Sequence, residues 1–178
     1  MSALTQYWAF YELNFHSLTH QIHEQLSALI PDRYTKETNT HLTIHPQFQF
    51  QENNEEKFEH LLYKYFPQQA TIKIKGFYFH PSEYKPRVVC LAAQAGFDFR
   101  KQQERFRREI ERNGGKSVAS PKPPHITLYK ARDGGKDYKI IPSNTNQIHT
   151  RYEKLEQNLP IRVQDTELHF EQTAGPSR

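Results

Sequence analysis

At 178 residues the chain is long enough for one domain with a sizeable core, or for two small lobes sharing one, and too short for two independent domains of ordinary size. Its apolar share is only 35%, yet 12 Phe and 10 Tyr supply large buried area per residue, as expected of a soluble globular protein. Net charge is +4, but residues 70–139 hold 16 Lys or Arg against 7 Asp or Glu and the remainder is acidic. That asymmetry fits an anion-binding surface or a solvated basic helix face.

No apolar run approaches the roughly 20 residues that cross a bilayer, which excludes a helical membrane protein. The stretch Met1 to Leu13 has no basic leader and carries Tyr7, Tyr11 and Glu12, so it reads as a strand rather than a signal peptide. The single Cys90 excludes an internal disulfide; set in Val88-Val89-Cys90-Leu91, it reads as a buried strand residue and a poor nucleophile. A cytoplasmic, monomeric protein is expected.

In chain order, Tyr7 to Leu13 is a strand, with Tyr7, Ala9 and Tyr11 on one face and Trp8 and Phe10 on the other. Ser17 to Ile30 predicts a helix with Leu18, Ile22, Leu26 and Leu29 as its apolar stripe, stopped by Pro31. His16, His20 and His23 fall opposite that stripe and read as a solvated face, not a zinc site. His41 to Phe50 is the next strand, and Asn54 to Phe66 a helix burying Phe58, Leu61, Leu62 and Tyr65.

Ala70 to Phe79 and Arg87 to Ala93 read as a hairpin joined through Pro81 to Pro86. Phe99 to Arg112 is a helix with Phe106 and Ile110 inward and Gly114-Gly115 as its stop. Its many Arg residues suit a nucleic-acid backbone, although Glu104-Arg108 and Arg107-Glu111 at i,i+4 suit a self-paired solvated face. His125 to Ala131 is a strand led in by Pro121, Pro123 and Pro124. Residues 134–143 read as a loop with a short strand at 138–141, Thr145 to Leu159 as a helix, Ile161 to Phe170 as a last strand, and 171–178 as a frayed tail.

One short pattern occurs twice, as His41-Leu42-Thr43 and His125-Ile126-Thr127. Strand alternation turns His and Thr to one face while Leu42, Ile44, Ile126 and Leu128 pack on the other. Two such strands facing one another would offer two imidazoles and two hydroxyls to one ligand, which suits acid–base chemistry on a phosphate. Each copy follows a strand and helix, so the chain reads as a loose internal duplication.

The motifs His41-Leu42-Thr43-Ile44 and Pro124-His125-Ile126-Thr127-Leu128, with Ile74-Lys75-Gly76-Phe77 and Arg87-Val88-Val89-Cys90-Leu91 between them, resemble the two-histidine (2H) phosphoesterase superfamily, in particular its LigT-like branch of RNA 2′,3′-cyclic phosphodiesterases. That resemblance spans the first strand to Arg132. It implies an α+β, bilobal, pseudo-twofold fold of two antiparallel sheets flanking a central cleft, with helices outside, over residues 1–178. It also implies a site with no metal and no organic cofactor, in which His41 and His125 are the catalytic pair and Thr43 and Thr127 bind the phosphate oxygens.

The substrates so implied are RNA ends carrying a 2′,3′-cyclic phosphate; a 2′,5′-linked or cyclic oligonucleotide signal is the alternative, and a non-catalytic RNA-binding module a second. Around the motifs, Tyr129 shares strand parity with His125 and Thr127 and is expected to face the ligand. Lys130 stands where the family commonly has Arg, with Arg132 beyond it as a second phosphate contact. His45 is a candidate for the substrate rim, and Tyr11 for an aromatic edge of the cleft.

Overall fold

The protein is described by a computed structural model covering residues 4–14, 16–82, 86–118, 122–132, 142–157, 162–164 and 166–173. Its elements are β1 (Leu4–Leu13), α1 (His16–Leu26), β2 (Tyr34–Lys36), β3 (His41–Gln51), α2 (Glu55–Tyr65), β4 (Ile72–His80), β5 (Val88–Ala95), α3 (Phe99–Arg112), β6 (Lys116–Ser117), β7 (His125–Ala131), α4 (Pro142–Glu156), β8 (Arg162–Val163) and β9 (Thr166–Thr173). The fold is α+β, with its strands in antiparallel register.

The strand order is β8-β4-β5-β7-β3-β1-β9, with β2 beside β7 and β6 beside β3. Two sheets are expected from the sequence resemblance; the strands instead form one nine-stranded sheet. Its narrowest point is the seam between the HxT strands, where β3 and β7 pair through Leu42 opposite Ile126 alone. The pairing carries an internal symmetry. β3 lies between β1 and the short β6, as β7 lies between β5 and the short β2. Each short strand precedes one HxT strand in sequence and pairs with the other, so the two repeats are laced together.

Helices cover one face in two pairs. Phe58 of α2 and Phe106 of α3 pack on Tyr7, Phe48 and Phe170, with Phe58 stacked on Tyr7 at 4.5 Å between ring centroids. Tyr152 of α4 meets Phe77 edge-on at 4.8 Å, and His23 of α1 meets Tyr129 at 5.0 Å. Leu42, Ile44, Ile126 and Leu128, all fully buried, face this helical layer. Strand parity therefore leaves the two His and two Thr on the opposite face.

Several elements begin and end where the sequence patterns say. Helix α3 spans Phe99–Arg112, with Asp98 accepting from the Lys101 N–H at 3.1 Å as its cap. Gly114 closes it at φ +81, and a Cβ on Gly115 would meet the Gln49 carbonyl oxygen at 2.6 Å. The β4–β5 hairpin forms, and α2 buries Phe58, Leu61 and Leu62.

Other expectations are corrected. Helix α1 stops at Leu26, and Ile30 ends a tightened turn whose N–H still reaches the Leu26 carbonyl at 3.1 Å. The last predicted strand is two, β8 and β9, and β9 carries on through residues 171–173 by pairing with β1 where a tail is expected. His23 is buried, not solvated, and its Nε2 donates to the Leu128 carbonyl at 3.2 Å. The predicted short strand at 138–141 lies outside the described residues.

Gln103 closes the seam. Extending the register from Leu42 and Ile126 sets Ile44 opposite Pro124, which has no N–H to donate. The buried Gln103 side-chain amide donates to the Ile44 carbonyl. Gln103→Leu strands that carbonyl, and urea unfolding should show a loss of about 1–3 kcal/mol; an unchanged midpoint would mean water replaces the amide.

Candidate active site

The single Leu42–Ile126 pair sets the geometry of the site. One residue further in each direction, antiparallel register sets His41 opposite Thr127 and Thr43 opposite His125. The four residues make a cross-strand square with the two histidines at diagonal corners, strand positions about 7–8 Å apart. One phosphate group can lie between two side chains so placed.

Both imidazoles are held the same way. His41 Nδ1 lies 2.9 Å from the Asn39 carbonyl, and His125 Nδ1 lies 2.7 Å from the Pro123 carbonyl, each two residues back along its own chain. A carbonyl can only accept, so each Nδ1 carries the hydrogen and each neutral ring keeps Nε2 bare. The second imidazole nitrogen of each ring is thereby left for chemistry.

Burial lowers the pKa of both rings from the ordinary 6.5. The carbonyl bonds oppose the shift, and at His41 so does the Glu37 carboxylate, while the charges of Lys130 and His125 add to it at His41 and that of Lys122 adds to it at His125. Both are neutral at neutral pH, and a bound phosphate dianion or monoanion would raise both.

The hydroxyls differ in support. Cys90, wholly buried on β5 with its thiol pushed up to about 12 by burial, donates its S–H to Thr127 Oγ1 at 3.8 Å. A lone pair of Thr127 is thus occupied and its own O–H is free to point outward. Cys90 acts here as a neutral positioning donor, consistent with its expected lack of nucleophilic character.

Aromatic rings wall both ends. Trp8 meets His41 edge-on at 4.8 Å between centroids and Phe10 meets it at 5.7 Å, while Tyr78 lies 5.9 Å from His125 and shares a 3.2 Å contact from its hydroxyl to His80 Nδ1. Beyond Phe10 the rim carries two carboxylates, Glu12 and Glu167, which lie 3.2 Å and 3.5 Å from His169 Nε2. Beyond Tyr78 it is basic. Burial, Lys122, His125 and Arg87 all lower the pKa of His80.

Of the further residues expected at the site, the fold brings in Lys130. Its Nζ pairs with Glu37 at 2.8 Å. Burial alone would raise the Glu37 carboxyl, but the hydrogen bond and charge of Lys130 outweigh it and hold it below its usual range. Arg132 lies past the end of β7 and donates to Thr35 Oγ1 at 3.4 Å, on the β2 residue that pairs with Lys130. The His45 side chain is outside the described residues.

Tyr129 and Tyr11 belong to the core. A β-bulge pairs Val89 with Tyr129 and Cys90 with Thr127, so parity breaks at Leu128 and Tyr129 turns to the helical face, only 5% exposed. Its hydroxyl contacts the His23 carbonyl at 3.5 Å. Tyr11 pairs with Leu42, shares its buried face and donates to the Pro67 carbonyl at 2.6 Å. The aromatic edges of the cleft are Trp8, Phe10 and Tyr78 instead. Alternation already separates Trp8 and Phe10 from Tyr11; what decides between the faces is which one pairs with His41.

Among the described residues no cluster of three or more His, Cys, Asp or Glu could hold a metal ion. No helix of those residues is long and apolar enough to cross a membrane.

The α+β antiparallel fold, with two HxT strands meeting at its centre, has counterparts among solved structures. Among solved structures, the PDE domain of MHV ns2 is similar at TM-score 0.56 and 11% identity, over 94% of this chain and 99% of that one. E. coli LigT in apo form is similar at TM-score 0.55 and 18% identity, over 97% of this chain and 90% of that one. E. coli LigT complexed with 3′-AMP is similar at TM-score 0.50 and 21% identity, over 79% of each. No family model matches the chain, and no curated protein matches its sequence.

Proposed function

We propose that the protein is a metal-independent phosphodiesterase that opens RNA 2′,3′-cyclic phosphate ends to 2′-phosphomonoesters, with His41 and His125 as its acid–base pair. The observation that carries this reading is the pair of half-buried imidazoles, each with Nδ1 bound to a backbone carbonyl and Nε2 bare, at opposite corners of a square completed by Thr43 and Thr127.

In the reaction one neutral Nε2 takes a proton from water as the water oxygen bonds to phosphorus. The other imidazole, protonated, gives its Nε2 proton to the ribose 3′ oxygen as the P–O3′ bond breaks. The pair exchanges one proton each way. A proton transfer back through solvent or product resets it. Thr43 and Thr127 donate to the non-bridging oxygens as charge gathers on them, and Lys130 adds positive potential nearby.

A second reading draws on the aromatic walls. Rings stand at both ends of the square, Trp8 and Phe10 beside His41 and Tyr78 beside His125. Two bases flanking one phosphodiester would use both ends, as in a 2′,5′-linked or cyclic oligonucleotide, with each stacked base contributing about 1–3 kcal/mol.

A substrate panel of 2′,3′-cyclic, 2′,5′ and 3′,5′ phosphodiesters, assayed with chelator present, separates the readings. Turnover of the cyclic end alone supports the first, and preference for the 2′,5′ bond supports the second. Binding of RNA with no turnover of any member would make the cleft a binding module.

The pH profile is a further check. The productive enzyme has one imidazole neutral and one protonated, and both pKa values lie below 6.5 in the free protein. Accordingly kcat/KM should peak on the acid side of 6.5 and fall as pH rises, because the acid partner loses its proton. Folding stability moves the other way. The unfolded chain takes up protons at its ordinary histidine pKa while the folded rings resist, so stability held above pH 6.5 is lost as pH falls through the lowered folded values. A kcat/KM maximum well above neutrality would contradict the assignment.

A further inference from the structure

On the side of the sheet that the helices cover, a groove of about 630 Å³ runs between α3 and the segment that leads into His125. Its volume lies within the roughly 300–1,000 Å³ of ligand sites. One wall is Lys122, Pro123 and Pro124, and Pro123 is the residue whose carbonyl holds His125. The other wall is α3, from which Arg100 and Arg108 line the space and Gln103 reaches across to Ile44, next to Thr43. The groove therefore lies at the end of the seam where His125 and Thr43 stand opposite, on its helical side, and a strand reaches it from the square by rounding the Lys122–Pro124 segment.

Its charge is not self-cancelled. Glu104, on the same wall, is held down to about 2 by hydrogen bonds from Arg107 and Arg108, and its charge is spent on those two. Arg107 is shared further with Glu111 at 2.6 Å. Arg100 and Lys122 have no carboxylate partner among the described residues, and they stand on opposite walls. The Lys122 charge also reaches His125 and His80. Across the square, the His41 end is bordered by Glu12 and Glu167. Carboxylates at that end stand beside basic side chains, whereas Arg100 and Lys122 have no carboxylate partner among the described residues, so a polyanion lying over the cleft is drawn toward the groove.

We propose that this groove carries the backbone phosphates of a single-stranded oligonucleotide whose reacting end lies in the two-histidine square, so that the preferred substrate is a strand rather than a mononucleotide. The proposal deepens the phosphodiesterase reading and rests on it for the position of the reacting end. The strand leaves the square past His125 and Tyr78 and crosses between Lys122 and Arg100. Self-pairing along α3 and strand binding are then divided by position: Arg107 and Arg108 are consumed by Glu104 and Glu111, and Arg100 is left for phosphate.

The test compares uridine 2′,3′-cyclic phosphate with a five-nucleotide RNA bearing the same terminal cyclic phosphate, using the wild type and Arg100→Glu, a substitution at an exposed position. The wild type should favour the strand, and Arg100→Glu should cut kcat/KM for the strand about three- to tenfold and flatten its salt dependence, at about 0.7 in log–log slope per lost phosphate contact. Turnover of the mononucleotide should stand. Equal loss on both substrates, or loss on neither, overturns the groove.

Binding of the labelled strand by fluorescence anisotropy, for the wild type, Arg100→Glu and Lys122→Ala, reads the groove without catalysis. Weaker binding in both variants without turnover of any substrate would retain the groove and reject the phosphodiesterase reading. Equal affinities overturn the groove whatever the turnover. Displacement by polyglutamate as effective as by RNA would overturn it too, since any polyanion would then serve.

Discussion

His125→Ala and His41→Ala should each lose 10²- to 10⁴-fold in kcat on the best substrate, the usual contribution of one positioned acid or base. Each variant removes one proton carrier and leaves the other imidazole and both hydroxyls in place. The double variant should lose little more than either single one, because acid and base act on one transition state and their effects do not add. Structural collapse is not the expected cause. Both rings are half-buried on the open face of their strands, and what they bond is a carbonyl two residues away in their own chain. The unfolding midpoint of each variant should stay near that of the wild type, and binding of the uncleaved strand should persist. A variant that keeps near-wild-type kcat on the preferred substrate would remove that histidine from the chemistry and with it the two-histidine mechanism.

The square itself was legible because it needs only local rules. HxT on a β-branched strand sends His and Thr one way and Leu42 or Ile126 the other, and the buried Leu42, Ile44, Ile126 and Leu128 follow that rule. Symmetry was legible in part. Both HxT strands follow a strand and a helix, but nothing local reveals that β2 and β6 cross to pair with the opposite HxT strand.

What alternation could not carry was parity across a bulge. Tyr129 stands an even number of residues from His125, and an unbroken strand would turn it to the ligand. The register shift at Val89–Cys90 turns it inward against His23 instead. Tyr11 fails for a different reason. Strand parity divides Tyr11 from Trp8 and Phe10, yet only the pairing of Tyr11 with Leu42 says which set meets the helices. The sheet is likewise one rather than two on the strength of a single non-local pair, Leu42 with Ile126. Local composition is silent on such contacts because they are set by the packing of distant segments.

The same division explains why the site depends on aromatic packing far beneath it. Phe58, on α2, is fully buried and touches rings from four other elements: Tyr7 at 4.5 Å, Phe170 at 5.5 Å, Phe106 at 5.7 Å and Phe48 at 6.2 Å between centroids. It thereby ties β1, β3, β9 and α3 to one point behind the strand that carries His41. Phe58→Ala leaves a cavity that rigid rings cannot fill, and should cost about 3–5 kcal/mol. For a chain of this length each kcal/mol lowers the melting midpoint by about 2–4 °C, so a drop of roughly 6–20 °C is expected by calorimetry. Phe58→Leu keeps most of the volume and should cost less than half as much. Phe48, which Phe58 packs on, and Leu42, which forms the seam with β7, lie on the same strand β3, so loosening this cluster should also weaken substrate binding before the protein unfolds. A rise in KM with temperature that begins below the melting midpoint of Phe58→Leu, and is absent in the wild type, is the result that ties the core to the square. Parallel KM curves in the two proteins would mean that the seam is held by Gln103 and its own strand pair alone.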